Sequence, residues 1–198
     1  MNTLVVSFIS ALLSVAATPL NQGASVPKPI RVEREYIRPA VENTWHELVR
    51  SSDLVAEVEP VSAAGGEVTH YYGSYKSVVT AYSASITRVI AGGDHRGVVT
   101  GSRILVVMPG GKIDRGTYVQ HVIVQGSEPL NPGQKYVVAL KWVSQLEGWR
   151  PLWYYETVFE VQPDGRIRSF GNGPLAREMN GASTASLLER LSVAASAQ

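Results

Sequence analysis

The run Val78-Val-Thr-Ala-Tyr-Ser-Ala-Ser-Ile-Thr-Arg-Val-Ile90 indicates the class of the fold. Its apolar residues recur with a period of two, which is the period of a strand that is buried on one face. The pattern shifts by one residue at Thr87 and Arg88, as it does where a β-bulge inserts an extra residue. We therefore expect one long, bulged strand whose buried face carries Val78, Tyr82, Ala84 and Ile86.

The segments on both sides of this run are also typical of β-structure. Residues 54–59 switch to a period of two, as a half-buried strand does, with Leu54, Ala56 and Val58 on one face and Glu57 and Glu59 on the other. Further predicted strands, bounded by Gly, Pro or Asn, are residues 103–108, 117–125, 135–142, 153–161 and 166–170. In residues 153–161 the alternation directs Glu156 and Glu160 toward water and directs inward Trp153, Tyr155, Thr157, Phe159 and Val161.

Helices are predicted at both ends of this β region. Thr44 and Glu47 have the spacing of a capping box, so a first helix should begin there and end near residues 51–53. Residues 174–179 and 183–195 have helical patterns. Because no helix separates the central strands, a parallel α/β sheet is not expected. The fold class is therefore mainly β, with six or seven antiparallel strands in a small barrel or sandwich and flanking N- and C-terminal helices.

The composition excludes several classes of protein. The 198 residues carry 18 Lys and Arg against 17 Asp and Glu, which gives a net charge of +1. Binders of nucleic acid or of anionic membranes normally have clustered positive charge, so neither function is expected. The chain contains no cysteine, which excludes a disulfide framework, a thiolate nucleophile and cysteine-ligated metal centres.

The N-terminal residues have the pattern of an export signal. Residues 4–17 are almost all apolar or small, and the first charged side chain is Lys28. This length fits a signal peptide and is shorter than the roughly 20 residues that span a bilayer. An uncleaved anchor and a buried helix are the alternatives. We expect an exported protein (periplasmic, cell-surface or extracellular) without an integral membrane span after signal removal, divided into a signal peptide (1–17), an extended leader (18–39), a β domain (40–171) and a C-terminal helical segment (172–198).

Five motifs occur in the order in which one known family has them. They are Ser52-Asp-Leu-Val55, Ile86-Thr-Arg-Val-Ile-Ala-Gly92, Gly101-Ser-Arg-Ile-Leu-Val106, Pro109-Gly-Gly111 and Pro129-Leu-Asn-Pro-Gly-Gln-Lys-Tyr-Val-Val-Ala-Leu140. On these motifs, residues 48–168 resemble a group of exported bacterial domains with an OB-like barrel similar to that of the tissue inhibitors of metalloproteinases. The resemblance implies an OB-like β-barrel over residues 40–171. The chain departs from the family at Ala91, where a lysine is usual.

The resemblance implies little about activity. In the animal inhibitors an N-terminal cysteine chelates the protease zinc, and this chain has no cysteine. OB-like barrels bind oligonucleotides, oligosaccharides and proteins, so the fold alone selects no ligand. We expect a non-catalytic binding or structural module of the cell envelope or exterior that recognises a protein or a glycan. The alternatives are an envelope hydrolase with a site assembled from loops, and a protease inhibitor that presents the leader without a cysteine-zinc mechanism.

No linear motif completes a catalytic or metal site. His46-Glu47 begins an H-E-x-x-H pattern, but Arg50 stands where the second histidine is needed. Gly110-Gly111-Lys112 lacks the remaining residues of a phosphate-binding loop and is typical of a turn with positive φ. Asp94-His95-Arg96 lies between two glycines and is interpreted as an exposed turn. We predict no metal, cofactor or catalytic residue, and a metal site assembled from histidines on separate loops is the open alternative.

The most unusual local feature of the sequence is aromatic. Five aromatic residues fall within 14 positions: Trp142, Trp149, Trp153, Tyr154 and Tyr155. Trp149 lies in a predicted loop over residues 144–151, where the pattern gives it no place in the core. Exposed Trp and Tyr stack on sugar rings and anchor protein interfaces. The predicted ligand-binding residues are therefore Trp149 and Tyr154, with Tyr71 and Tyr72 in a second loop, and a purely structural role for these aromatics is the alternative.

Overall fold

The computed structural model describes residues 30–34, 44–69, 76–124, 128–152 and 154–197. The predicted signal peptide and all of the predicted leader except residues 30–34 lie outside these ranges. The described residues form a mainly β structure with the strands β1 (Ile30–Arg34), β2 (Leu54–Thr69), β3 (Lys76–Gly92), β4 (Arg103–Pro109), β5 (Gly111–Asp114), β6 (Val119–Val124), β7 (Lys135–Val143), β8 (Gly148–Pro151), β9 (Val158–Val161) and β10 (Ile167–Ser169). The α-helices are α1 (Trp45–Ser51), α2 (Pro174–Met179) and α3 (Thr184–Ser196), and short 3-10 helices cover Asp94–Arg96, Ser144–Leu146 and Tyr154–Thr157.

The strands form two sheets. The larger has the order β10-β9-β7-β2-β3-β4-β8, and an additional pairing of β7 with β8 closes a ring of the five strands β2, β3, β4, β8 and β7. The smaller has the order β1-β6-β5. Two pairs are parallel, β4 with β8 and β1 with β6, so the prediction of antiparallel strands alone is wrong. The β4–β8 pair is parallel because the other four pairs of the five-membered ring are antiparallel, and a ring with an odd number of strands cannot alternate in direction throughout.

The predicted long strand is confirmed as β3. Its pairing with β2 steps from Glu57 opposite Arg88 to Val58 opposite Ile86, so Thr87 is the extra residue of the expected bulge. The Thr87 hydroxyl donates to Glu57 Oε1 at 2.7 Å, which provides the bulged residue with a partner. The four residues that were predicted for the inner face are all buried: Val78, Tyr82, Ala84 and Ile86.

Two apolar clusters pack against the strands of the ring. One cluster fills the inside of the ring, and the other lies between β2, β7 and β9 and the three helices. Residues 136–140 of β7 are all buried, because alternate side chains enter the two clusters. This two-sided burial explains why β7 is a continuous apolar run rather than an alternating one.

Strand β5 of the smaller sheet packs very closely on β2 near Gly65 and on β3 near Thr80. A Cβ atom on Gly65 would lie 1.8 Å from the Lys112 carbonyl oxygen, and one on Gly111 would lie 2.1 Å from the Thr80 hydroxyl. Gly110 and Gly111 have φ of +85° and +124°, as the predicted turn requires. Glycine at these positions therefore allows β5 to pack directly on β2 and β3.

The predicted strand over residues 153–161 is wrong in its first half. Residues Tyr154–Thr157 form a 3-10 helix, and only Val158–Val161 is a strand. Glu160 is 6% exposed rather than turned toward water. Its carboxylate accepts a hydrogen bond from Arg168 Nε at 2.5 Å, because β10 pairs with β9 and brings Arg168 opposite Glu160. An ion pair with this partner is what allows a carboxylate to be buried at this position.

The helices follow their sequence signals. The Thr44 hydroxyl accepts the Glu47 N–H at 3.1 Å, which confirms the predicted start of α1. The second helix has the predicted bounds, and α3 begins after Ser183, whose hydroxyl accepts the Ser186 N–H at 3.2 Å. Of the helices in the described ranges, none is long and apolar enough to cross a membrane.

Candidate functional site

Trp149 is a core residue, and the expectation that it lies exposed in a loop is wrong. Its side chain is 3% exposed, and it lies in β8, opposite Trp142 of β7. The two indole rings meet edge to face, with centroids 5.4 Å apart and planes at 75°. An aromatic pair of this geometry stabilises a protein interior beyond the contribution of its buried area. Trp149 therefore closes the ring between β7 and β4 and offers no face to a ligand.

Trp142 is half-buried and is the centre of a small charged cluster. The Arg96 guanidinium lies over its ring, with Cζ 4.0 Å from the centroid, which is the geometry of a cation–π contact. Asp53 Oδ2 accepts a hydrogen bond from the backbone N–H of Trp142 at 2.9 Å, and Asp53 Oδ1 accepts one from Lys141 Nζ at 2.7 Å. Burial raises the pKa of Asp53, but these hydrogen bonds and the charges of Lys141 and Arg96 together lower it below the ordinary 3.8.

We expect Asp53→Asn to remove one acid-sensitive contribution to stability. A carboxyl group with a lowered pKa stabilises the fold fully above its unfolded-state pKa, and this contribution is lost as the pH falls through the folded-state pKa. The loss in the wild type therefore occurs below pH 3.8. It should not exceed about 1 kcal/mol, because the side chain is 37% exposed and solvent screens the pair.

The measurement is chemical denaturation at about pH 7 and about pH 2. Asp94→Asn, which changes an exposed carboxylate in the 3-10 helix Asp94–Arg96, is the matched control and should keep the wild-type difference between the two pH values. An Asp53→Asn variant that loses as much stability on acidification as the wild type would contradict the assignment.

Of the other three predicted aromatic residues, only Tyr154 lies in the described ranges. Tyr154 is the first residue of the 3-10 helix Tyr154–Thr157. Tyr71 and Tyr72 lie outside the described residues, so their role in ligand binding stays a prediction. The adjacent Tyr155 is buried, and its hydroxyl donates to the Pro109 carbonyl oxygen at 2.9 Å.

The histidines of the described ranges lie on separate elements. His46 is exposed on α1, and His121 is half-buried on β6. Within the described part of the chain, no group of three or more His, Asp or Glu side chains could hold a metal ion.

Part of β2 in the larger sheet has an edge with no second described strand beside it. Residues 54–58 of β2 pair with β3 on one side and with β7 on the other, and the β7 pairing ends at Val58 opposite Tyr136. Beyond Val58, β2 pairs with β3 alone as far as Thr69, with Val61 left unpaired as the extra residue of a bulge, and no other described strand lies along its second side. We call residues 61–69 on this second side the β2 edge. In an antiparallel pair, alternate N–H and C=O groups of such an edge point away from the neighbouring strand.

Both ends of the β2 edge are held in place. At one end the Pro60 carbonyl oxygen accepts the Gly133 N–H at 3.0 Å, where the chain turns toward β7. At the other end the Glu67 carboxylate pairs with Arg115, which lies between β5 and β6, and with Lys76 Nζ at 3.9 Å. The hydrogen bond from Arg115 holds the pKa of Glu67 below its ordinary value of 4.5 although some desolvation opposes it. These contacts hold the β2 edge in position in the absence of a ligand.

Between these ends the β2 edge is uncharged and accessible. Residues 61–65 are all exposed, and Val61 is 45% exposed. The side chains from Val61 to Gly66 are small or apolar, and the nearest charged residues of β2 are Glu59 and Glu67. Strand edges of soluble proteins are usually protected by lysine, proline or a covering segment. Residues 61–66 contain neither lysine nor proline, so neither residue type obstructs a second strand here.

Sequence reasoning missed this edge because its signals are weak. Alanine and glycine are depleted in strands, and Pro60 reads as an end of the preceding strand. The signal that could have found it is the length of β3, since a strand of 17 residues needs a partner longer than residues 54–59.

A second open feature lies among the three helices. It is a cleft of about 700 Å³ with an apolar floor that includes Leu175 and Ala194. Glu178 spans it, accepting from Trp45 Nε1 at 3.2 Å and pairing with Arg190 Nη2 at 3.1 Å. Glu178 thus links α1 to α3 across the cleft.

No protein-family model matches the chain, and no curated protein is similar to it in sequence. The resemblance to the exported OB-like domains stays a prediction.

Proposed function

We propose that the chain is a non-catalytic binding module that takes an extended segment of a partner protein as an additional strand on the β2 edge. The observation that carries this proposal is that residues 62–69 pair with β3 and with no other described strand. In strand addition, main-chain hydrogen bonds provide affinity, and alternate side chains of the added segment provide specificity. A protein segment satisfies such an edge, whereas a glycan has no repeating N–H and C=O pattern to match it.

The fixed position of the β2 edge favours binding. A preformed strand loses little conformational entropy when a partner adds to it, so more of the interaction energy appears as affinity. The Glu67–Arg115 pair and the contact between Gly65 and the Lys112 carbonyl hold the strand to the smaller sheet. The Lys112 contact lies on the face of the sheet, whereas strand addition occurs in its plane, so it leaves the main-chain groups of the edge open.

Two neighbouring proline substitutions test the proposal. Successive residues of a strand direct their N–H groups to opposite sides, so one of Ala63 and Ala64 donates toward β3 and the other toward the open edge. Ala63→Pro and Ala64→Pro therefore form a matched pair. The variant that loses the bond to β3 should have a lower melting temperature, whereas the other should keep the wild-type melting temperature, because edge positions tolerate proline.

The binding measurement uses a library of random peptides of about nine residues, the length of the edge. Peptides selected on the full chain should bind the melting-neutral proline variant at least about tenfold more weakly than the wild type, because one main-chain bond is lost and the ring of proline obstructs pairing. Val99→Lys, an exposed substitution away from the edge, should leave the affinity unchanged. Failure to select any peptide, or equal binding to the melting-neutral variant, would contradict the proposal.

The proposal extends to the architecture and the location of the chain. The closed ring of five strands supports an OB-like barrel, and the apolar run over residues 4–17 supports export. N-terminal sequencing of the protein recovered outside the cytoplasm should give a chain that begins near residue 18. Recovery of the intact chain in the cytoplasm alone would contradict export.

A further inference from the structure

We infer that the β2 edge also pairs with the β2 edge of a second copy of this chain, antiparallel and around Gly65, so that self-pairing and partner binding exclude each other. The exclusion rests on the function proposed above, whereas the self-pairing follows from the edge alone. A two-fold pair of this kind uses the same surface twice and closes on itself.

The charges of the β2 edge favour the antiparallel arrangement. Gly65 is the middle residue of the β2 edge, so an antiparallel pair centred there opposes Glu67 with Ala63 of the second copy and Ala64 with Gly66. No like charges meet in this register. In a parallel, in-register pair the two Glu67 side chains would be neighbours, and like charges at such positions are destabilising. The antiparallel pair is therefore the favoured one.

Steric access and size determine how strong this pairing can be. Residues 61–65 are all exposed, so a second strand can approach the edge. A pair formed only by one strand edge buries less than the roughly 1,200 Å² at which stable interfaces begin. We therefore expect a weak dimer that forms as the concentration rises and that a partner segment displaces by mass action.

Single cysteines test the register directly, because the chain has none of its own. Ala64→Cys and Gly66→Cys chains, mixed in equal amounts, should form a mixed disulfide faster than either chain alone forms a symmetric one. The reason is that residues 64 and 66 are directly opposite in the proposed register, at a separation that suits a disulfide, whereas 64 and 64 are diagonal. A mixture of Val99→Cys and Gly66→Cys chains is the control and should cross-link slowly.

Sedimentation of the full chain provides the second measurement. Its mass should rise from 21.4 kDa toward twice that value with concentration, and the melting-neutral proline variant should stay at the monomer mass. A selected peptide should return the wild type to the monomer. A monomer at all concentrations that still binds peptides would overturn this inference and leave the proposed function standing. If the chain dimerises and gives the mixed disulfide between residues 64 and 66 but binds no peptide, the proposed function would be overturned and this inference would stand.

Discussion

Trp149→Ala is expected to lower the free energy of unfolding by about 3–5 kcal/mol, the usual cost of removing a large aromatic side chain from a core. Trp149 is 3% exposed and fills the space between β7 and β4, where it meets Trp142 edge to face. Its strand is also the link that closes the ring, through the pairing of Trp149 with Val106. The substitution thus leaves a cavity at the closing point of the larger sheet.

Urea denaturation monitored by circular dichroism measures this effect. Trp149→Phe keeps an aromatic ring in the same space and should recover more than half of the loss, because most of the buried area is restored. Val99→Ala, at an exposed position, should change the stability by less than about 0.5 kcal/mol. A Trp149→Ala variant with wild-type stability would show that the indole does not close the ring.

Gly65→Ala is expected to cost about 3 kcal/mol, the upper end of the usual cost of overpacking. The added methyl group would lie 1.8 Å from the Lys112 carbonyl oxygen, which is a backbone atom and cannot rotate away as a side chain can. The smaller sheet must then move off β2 and β3, which also separates Arg115 from Glu67.

Gly66→Ala provides a matched control for this change. The two glycines are neighbours in one strand, but a Cβ atom on Gly66 would meet nothing within 4 Å. Since alanine also reduces the freedom of the unfolded chain, Gly66→Ala should be neutral or stabilising by about 0.5 kcal/mol. Equal stability of the two variants in thermal denaturation would refute the close packing of β5 on β2.

The parts of the fold that follow local rules could be predicted from the sequence. The bulge at Thr87 follows from a shift in alternation, and the start of α1 at Thr44 follows from the capping box, because both depend on neighbouring residues. The apolar run of β7 also identified a strand.

The parts that depend on distant partners could not be predicted. Trp149 lies in a strand of four residues, which is too short to have a readable period, and its burial depends on β7 and β4. Glu160 follows the alternation of an exposed residue, but Arg168 arrives from β10 and makes its burial possible. The β2 edge was missed for a related reason. Whether one side of a strand is paired depends on the other strands beside it, and the sequence pattern of the strand itself does not show them.

The difference in strand lengths explains why the β2 edge exists. Strand β2 has 16 residues and β7 has nine, of which only a part pairs with β2. The far half of β2 is then stabilised by β3 and by contact with the smaller sheet rather than by a second neighbour in its plane. The same geometry that supports the long hairpin therefore leaves one row of main-chain groups without a strand partner among the described residues.

Amide hydrogen exchange of residues 62–69, followed by NMR at a concentration where the chain is monomeric, tests the central claim most directly. The account predicts that alternate amides are protected by β3, that the amides between them exchange quickly, and that a selected peptide protects this second set. Uniform protection of all these amides in the free monomer, or a second set that stays unprotected when the peptide is bound, would contradict it.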